Sequence, residues 1–187
     1  MGKILTLAAW MKGAAFAAPF LLLLGLCAAT AADDPQEAKL LQFRLIDKDN
    51  DEHVKQNLAA PSFIPPGYEK MELVDFRKGK ETHTTYFVKI TPEIDGSYVA
   101  AAGVATCENG GTEVSLKFNQ EGAKLFKEIT GGNLGRQLGI VFGGKLLSAP
   151  VIRSAITGGN AQIAGGFSSD VAKLIIKALA SGGHDSP

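Results

Sequence analysis

The 187-residue chain balances 19 Lys and Arg against 19 Asp and Glu, and 45% of its residues are hydrophobic. Zero net charge argues against a basic face for gripping nucleic-acid phosphates, and the apolar fraction against a disordered chain. With 22 Gly but only 3 Tyr and 1 Trp, the chain reads as one small domain with an aliphatic core and many tight backbone positions.

At the amino end, Lys3 and Lys12 precede an apolar stretch, followed by Ala28, Ala29, Ala31 and Ala32 before Asp33 and Asp34. This order fits a secretory signal peptide cleaved after Ala31, with Ala29 and Ala31 in the two small-residue positions. Pro19 interrupts the run and acids rather than a basic stop follow it, which argues against a membrane anchor. Cys27 raises lipidation as the alternative, but Leu26 stands where that processing takes Gly or Ala. The expected organisation is signal peptide 1–31, linker 32–39, domain 40–183 and frayed tail 184–187, in a periplasmic or secreted protein. Cleavage removes two lysines and no acid, so the remainder is slightly acidic. Its lone Cys107 excludes an internal disulfide and reads as a small strand-end residue.

Residues 40–46 read as a strand, and the polar break 47–52 offers Asn50 or Asp51 as cap of a helix to about Leu58. Pro61, Pro65, Pro66 and Gly67 enforce a loop. A strand follows over 68–76, then a solvated turn at 77–80. Thr84, Tyr86, Val88 and Ile90 alternate with Thr85, Phe87 and Lys89, the period of a strand with one buried face. After a turn at 92–96, residues 98–105 are apolar on both faces, as in an inner strand. The Gly-rich turn 108–111 makes a hairpin with the half-buried strand of Val114, Leu116 and Phe118.

Asn119 caps a helix with Gly122, Leu125, Phe126 and Ile129 on its apolar face, stopped by Gly131-Gly132. Gly143-Gly144 turns strand 137–142 into its partner 145–149, and Pro150 ends the pairing. The segment 152–156, the turn 157–160 and strand 161–164 lead to a second helix opened by Ser168. Its apolar stripe is Val171, Leu174, Ile175, Ala178 and Leu179, and Gly182-Gly183 end it. The expected fold is α+β, a mixed or antiparallel sheet packed by two amphipathic helices in a ferredoxin-like-related sandwich.

Little in the sequence points to catalysis. Asp47, Asp49 and Asp51 imitate the start of a calcium loop, but Glu52 stands where its turn needs Gly and Leu58 where its bidentate acid belongs. His53, His83 and His184 have no metal-ligand spacing, and 131–136 lacks the ending of a phosphate loop. Ser148, Ser154 and Ser168 lack a Gly-x-Ser-x-Gly setting. No cofactor and no metal are expected. A hydrolase of unknown substrate is the minor alternative to a binding module.

An ordered string of motifs is more specific than any of these. It runs Asn119-x-x-Gly122-Ala123-x-x-Phe126, Thr130-x-x-Asn133-x-Gly135, the Gly143-Gly144 hairpin, Ser148-Ala149-Pro150-x-Ile152, Ile156-x-Gly158-Gly159 and Gly165-x-Phe167-Ser168. In these motifs the chain resembles the first periplasmic domain, head region included, of the SecD/SecDF subunits of the bacterial protein-export machinery. The resemblance is densest over 112–182 and reaches back more weakly to 41–45. Gly143-Gly144 replaces the family's usual Asp-Gly, and both suit a tight turn. The family's six membrane helices, which couple ion flow to export, have no counterpart here, so a detached, exported copy of the soluble domain is expected rather than a motor. The resemblance implies contact with a polypeptide or an envelope protein, the Sec export machinery included. The signature residues are then the candidate interaction positions. An unpaired sheet edge, or an aliphatic groove near Gly143-Gly144, would add an extended polypeptide as a strand. A structural or inhibitory protein docking on a folded partner is the rival reading.

Overall fold

The computed structural model describes residues 35–77, 80–106, 112–165 and 167–181. The expected signal peptide 1–31 with Cys27, the turn residues Lys78 and Gly79, Cys107, the turn 108–111, the helix stop Gly182-Gly183 and the tail 184–187 with His184 lie outside the described residues. In chain order the elements are α1 (Pro35–Ala38), β1 (Leu41–Leu45), α2 (Asn50–Ala59), β2 (Tyr68–Arg77), β3 (Lys80–Lys89) and β4 (Ile94–Asp95). After a 3-10 turn (Gly96–Tyr98) come β5 (Val99–Thr106), β6 (Thr112–Phe118), α3 (Gln120–Gly132), β7 (Leu138–Phe142), β8 (Lys145–Ser148), β9 (Asn160–Ala164) and α4 (Ser169–Ser181). Within the stretch expected as linker, α1 buries Ala38 and closes on Gly96, where a Cβ would stand 2.2 Å from the Ala38 carbonyl oxygen.

The α+β class holds, with the strands divided between two sheets rather than joined in one. The larger has the order β3-β2-β8-β7-β1-β4 and the smaller β5-β6-β9. All pairings are antiparallel except β2 with β8, which meet in parallel at Leu73 and Leu146. An antiparallel bridge between Ile46 and Val88 folds the larger sheet back on itself.

Period-two patterning decides which side chains form the main core. Leu41, Phe43 and Leu45 of β1, Leu138 and Ile140 of β7, and Val114, Leu116 and Phe118 of β6 meet Phe126 of α3 and Ile175 of α4. Phe43, Phe118 and Phe126 form an aromatic cluster with ring centroids 4.7–5.7 Å apart. A smaller cluster of Ile46, Val88, Val141 and Leu146 fills the other face of the larger sheet.

The start of α3 follows its sequence closely. Asn119 has extended backbone, and its Oδ1 accepts the Gly122 N–H at 2.8 Å. Replacing Asn119 with Ala should cost about 1 kcal/mol of stability, read as a lowered thermal midpoint with an unchanged folded spectrum. The helix does not stop at Gly131-Gly132 but runs through both. It ends at Asn133, whose Nδ2 donates to the Ile129 carbonyl at 2.9 Å, and the chain turns away at Gly135 with φ 79°. Neither Gly131 nor Gly132 takes the positive φ that makes glycine a helix terminator.

Other expectations need correction. The N-cap of α2 is Asp49, without a side-chain cap bond, and Asn50 is instead buried. Its Oδ1 accepts the Phe87 N–H at 2.8 Å, so the side chain ties α2 to β3 rather than capping the helix. Phe87 and Val88 are both fully buried, because α2 covers one face of this end of β3 and the smaller cluster the other, while Ile90 beyond the strand is 53% exposed. The expected turn 92–96 contains β4, which pairs with β1. Residues 98–105 make an edge strand, not an inner one. On α4, Leu174 is 55% exposed and Ala172 fully buried, so the packed face is rotated toward Ala172, Ile175 and Leu179.

Candidate functional site

Most signature residues serve caps, turns and close approaches. Thr130 is buried, donates its hydroxyl to the Phe126 carbonyl at 2.7 Å and accepts the Ile156 N–H at 2.9 Å. Asn133 also accepts from Arg136, whose guanidinium reaches the Ile46 carbonyl. Gly143 and Gly144 have φ 55° and 77°, which a two-residue hairpin turn requires. Ser148 donates to the Ala164 carbonyl at 3.1 Å, and the Leu147 carbonyl approaches Gly165 so closely that a Cβ would stand 3.0 Å away. Ala149 packs on the smaller cluster, and the Pro150 carbonyl accepts the Leu138 N–H. Gly158 leaves room for a methyl group, Gly159 does not, and Ser168 Oγ faces the Val171 N–H at the start of α4.

The structure brings two subsets together. Gly144, Phe167 and Ser168 meet on a groove of about 890 Å³ between β2, β8 and the start of α4, lined by Met71, Leu146 and Val171 together with Glu69, Glu72 and Lys145. This is the groove anticipated beside the hairpin, and it is as charged as it is aliphatic. Phe126, Thr130, Pro150 and Ile156 surround a smaller cavity beside β9.

The sheet edges differ in how they are protected. Unpaired backbone N–H and C=O groups recruit another strand unless charge, Pro, bulges or covering elements blunt the edge. At the ends of the larger sheet, β4 is two residues long and β3 carries Lys80, Glu81, His83 and Lys89. In the smaller sheet, the end of β9 is tethered through Ala164 and Gly165 to β8. β5 has neither the charge nor the brevity of these edges, although α4 packs against it. It spans eight residues with neither charge nor Pro, pairs with β6 alone among the described strands, and has one irregularity, between Val99 and Ala101.

Register assigns the side chains of β5 to two faces. Ala102 and Val104 lie opposite Leu116 and Val114 on the core side, yet Val104 is 48% exposed while Val114 is fully buried. Ala101, Gly103 and Ala105 lie opposite Lys117, Ser115 and Glu113 on the outer face, where Ala101 and Gly103 border a trough of about 710 Å³ that reaches Asn160 and Gln162 of β9. Exposed, small side chains leave the backbone of β5 open to an incoming chain. Sequence reasoning took this strand for an inner one, because an uncharged run reads alike whether a strand or solvent lies beside it.

The titratable side chains do not converge. His53 Nδ1 pairs with Asp47, and the His53 ring faces Phe63 and Phe87. The depression beside Asp47, Asp49 and Arg136 is lined without His53. His83 lies exposed on β3 between Glu72 and Glu81. Among the described residues, no three His, Cys, Asp or Glu side chains are grouped to hold a metal ion, and no helix is long and apolar enough to cross a membrane.

Comparison with known proteins adds to this geometry. The SecDF P1 head subdomain family matches residues 71–183. A protein translocase subunit SecD of Rickettsia felis is 32% identical over 151 residues, 79% of this chain and 27% of that one. The protein translocase subunit SecDF of Thermus thermophilus is 44% identical over 96 residues, 51% of this chain and 13% of that one. The chain thus spans less than a third of the length of these relatives. A solved structure of a membrane component SecDF that enhances protein export superimposes with TM-score 0.51 at 30% identity, covering 75% of this chain and 61% of that one. A SecDF crystal structure in the super-membrane-facing form gives TM-score 0.52 at 29% identity, over 77% of this chain and 19% of that one.

Proposed function

The chain belongs to the SecDF P1 head subdomain family, and from that membership we propose that it is an extracytoplasmic, non-catalytic binding module of the protein-export machinery, holding extended polypeptide along the free edge of β5. The observation that carries this reading is an eight-residue, uncharged strand paired on one side only among the described residues. A chain added there gains main-chain hydrogen bonds, which depend little on side chains and so suit substrates of varied sequence. Ala101 and Ala105 are exposed and, with Gly103, put little side-chain bulk along the strand.

Titration with an unfolded, export-competent polypeptide tests the reading. Saturable binding is expected, weakened about tenfold or more by Ala101→Lys with Ala105→Lys, which places two charges on an edge that has none. Both residues are exposed, so the folded spectrum should not change. A peptide N-methylated at alternate amides should fail to bind. No binding at high micromolar concentration, or equal binding of the methylated peptide, overturns the proposal. Capture of a single stoichiometric folded partner from envelope extracts, in place of varied unfolded chains, would favour the docking alternative.

A further inference from the structure

We propose that the cavity between α3, β7 and the irregular segment 150–156 is a side-chain pocket that takes one bulky apolar residue, aromatic or branched aliphatic, of a bound polypeptide. For its ligand this rests on the polypeptide-binding reading above, but its location does not. The cavity borders Ala161 and Gln162 of β9, at the opposite end of the smaller sheet from β5.

Size selects the occupant. The cavity measures about 210 Å³. Sites for drug-sized ligands run from about 300 Å³ upward, whereas a cavity of about 150 Å³ lined by Leu, Ile and Phe is enough for benzene. One ring or one branched side chain therefore fits, and a larger ligand does not.

Chemistry selects an apolar group. The inner wall is Phe43, Phe126, Leu138, Ile140, Ile152 and Ile156. Thr130 is the buried polar residue of the wall, and its hydroxyl is already engaged with the Phe126 carbonyl and the Ile156 N–H. A water molecule inside would lack the two to four polar partners it needs, so the space favours carbon. Arg153, Ser154 and Gln162 are exposed and lie at the mouth.

The mouth selects a peptide over a free hydrocarbon. The segment is pinned where Ile152 exchanges backbone hydrogen bonds with Gly135 and Arg136, and again where Ile156 meets Thr130. Between these anchors, residues 153–155 are exposed and their backbone makes no hydrogen bond to the described residues. Their N–H and C=O groups can pair with the backbone flanking the inserted side chain, and Val151, 47% exposed, extends the apolar contact.

The test follows backbone amide NMR signals of the full chain during titration with N-acetyl-phenylalaninamide, N-acetyl-leucinamide and N-acetyl-alaninamide. The first two should shift Phe126, Thr130, Ile152 and Ile156 saturably in the millimolar range, and the alanine compound should not. Ala161→Phe, which fills the cavity from β9, should abolish the shifts. Should that variant not fold, Ser154→Trp, on the exposed segment, should block the mouth. Ala101→Lys with Ala105→Lys should leave the shifts unchanged. Equal shifts with the alanine compound, or saturable shifts that survive both blocking variants, overturn the pocket. If the phenylalanine compound saturates while no unfolded polypeptide binds, the polypeptide reading falls and with it the assignment of the pocket's ligand.

Discussion

Phe126→Ala is expected to lower the unfolding free energy by about 3–5 kcal/mol, the range for removing a buried phenylalanine. Phe126 is 2% exposed, and its ring meets Phe43 edge-on at 5.4 Å and Phe118 at 4.7 Å. These rings come from α3, β1 and β6, so the truncation loosens a helix and both sheets together. Each aromatic contact contributes about 0.5–1.5 kcal/mol beyond the buried area, which places the loss toward the upper part of the range. For a domain stable by roughly 5–15 kcal/mol, about a fifth or more of the total would go. Chemical denaturation should show a midpoint shifted down at nearly constant slope. A loss below about 1.5 kcal/mol would mean that the neighbouring small cavity lets the core close over the gap.

Gly159→Ala is the second large effect, at about 2–5 kcal/mol from two added costs. Its φ of 65° lies where side chains are strained, and a Cβ there would stand 2.7 Å from the Cβ of Ala123. Its carbonyl accepts the Phe118 N–H at 2.8 Å, so the chain cannot back away from α3 without breaking this bond to β6. The adjacent Gly158 is the control. A Cβ there meets only the flexible Asn160 amide at 3.6 Å, and φ is not positive. Gly158→Ala should therefore change stability by less than about 1 kcal/mol. Equal losses at the two positions in thermal unfolding would refute the steric account of the Gly-Gly pair.

Where a segment's neighbours are local, the sequence was readable. Asn119 and Gly122 specify the start of α3 within four residues, and Gly143-Gly144 specify the β7–β8 turn within two. Alternation at Val114, Leu116 and Phe118 named the buried face of β6 correctly, because one face of that strand packs on the core. Legibility failed where burial comes from distant segments. Phe87 and Val88 are both buried because α2 and the smaller cluster cover opposite faces of β3, which breaks the expected alternation. Asn50 looks like a helix cap until β3 offers the Phe87 N–H. Leu174 falls on the apolar stripe yet is exposed, and Ala172 falls off it yet is buried, because helical periodicity defines a stripe but not which side of it meets the sheet.

The same division governs the candidate sites. The sequence by itself determined the α+β class, the start of α3 and the β7–β8 turn, and through its ordered motifs the family, since each motif rests on residues within one or two turns of each other. Only the tertiary structure decided that the strands separate into two sheets, that β5 pairs on one side alone among the described residues, and that Phe126, Thr130, Pro150 and Ile156 enclose a small apolar cavity. The physical reason is that patterning tells each strand which face to bury, whereas its edge is satisfied by whichever segment the rest of the chain brings alongside. For β5 no described strand fills that place, and the backbone groups on that side are what the proposed polypeptide would bind.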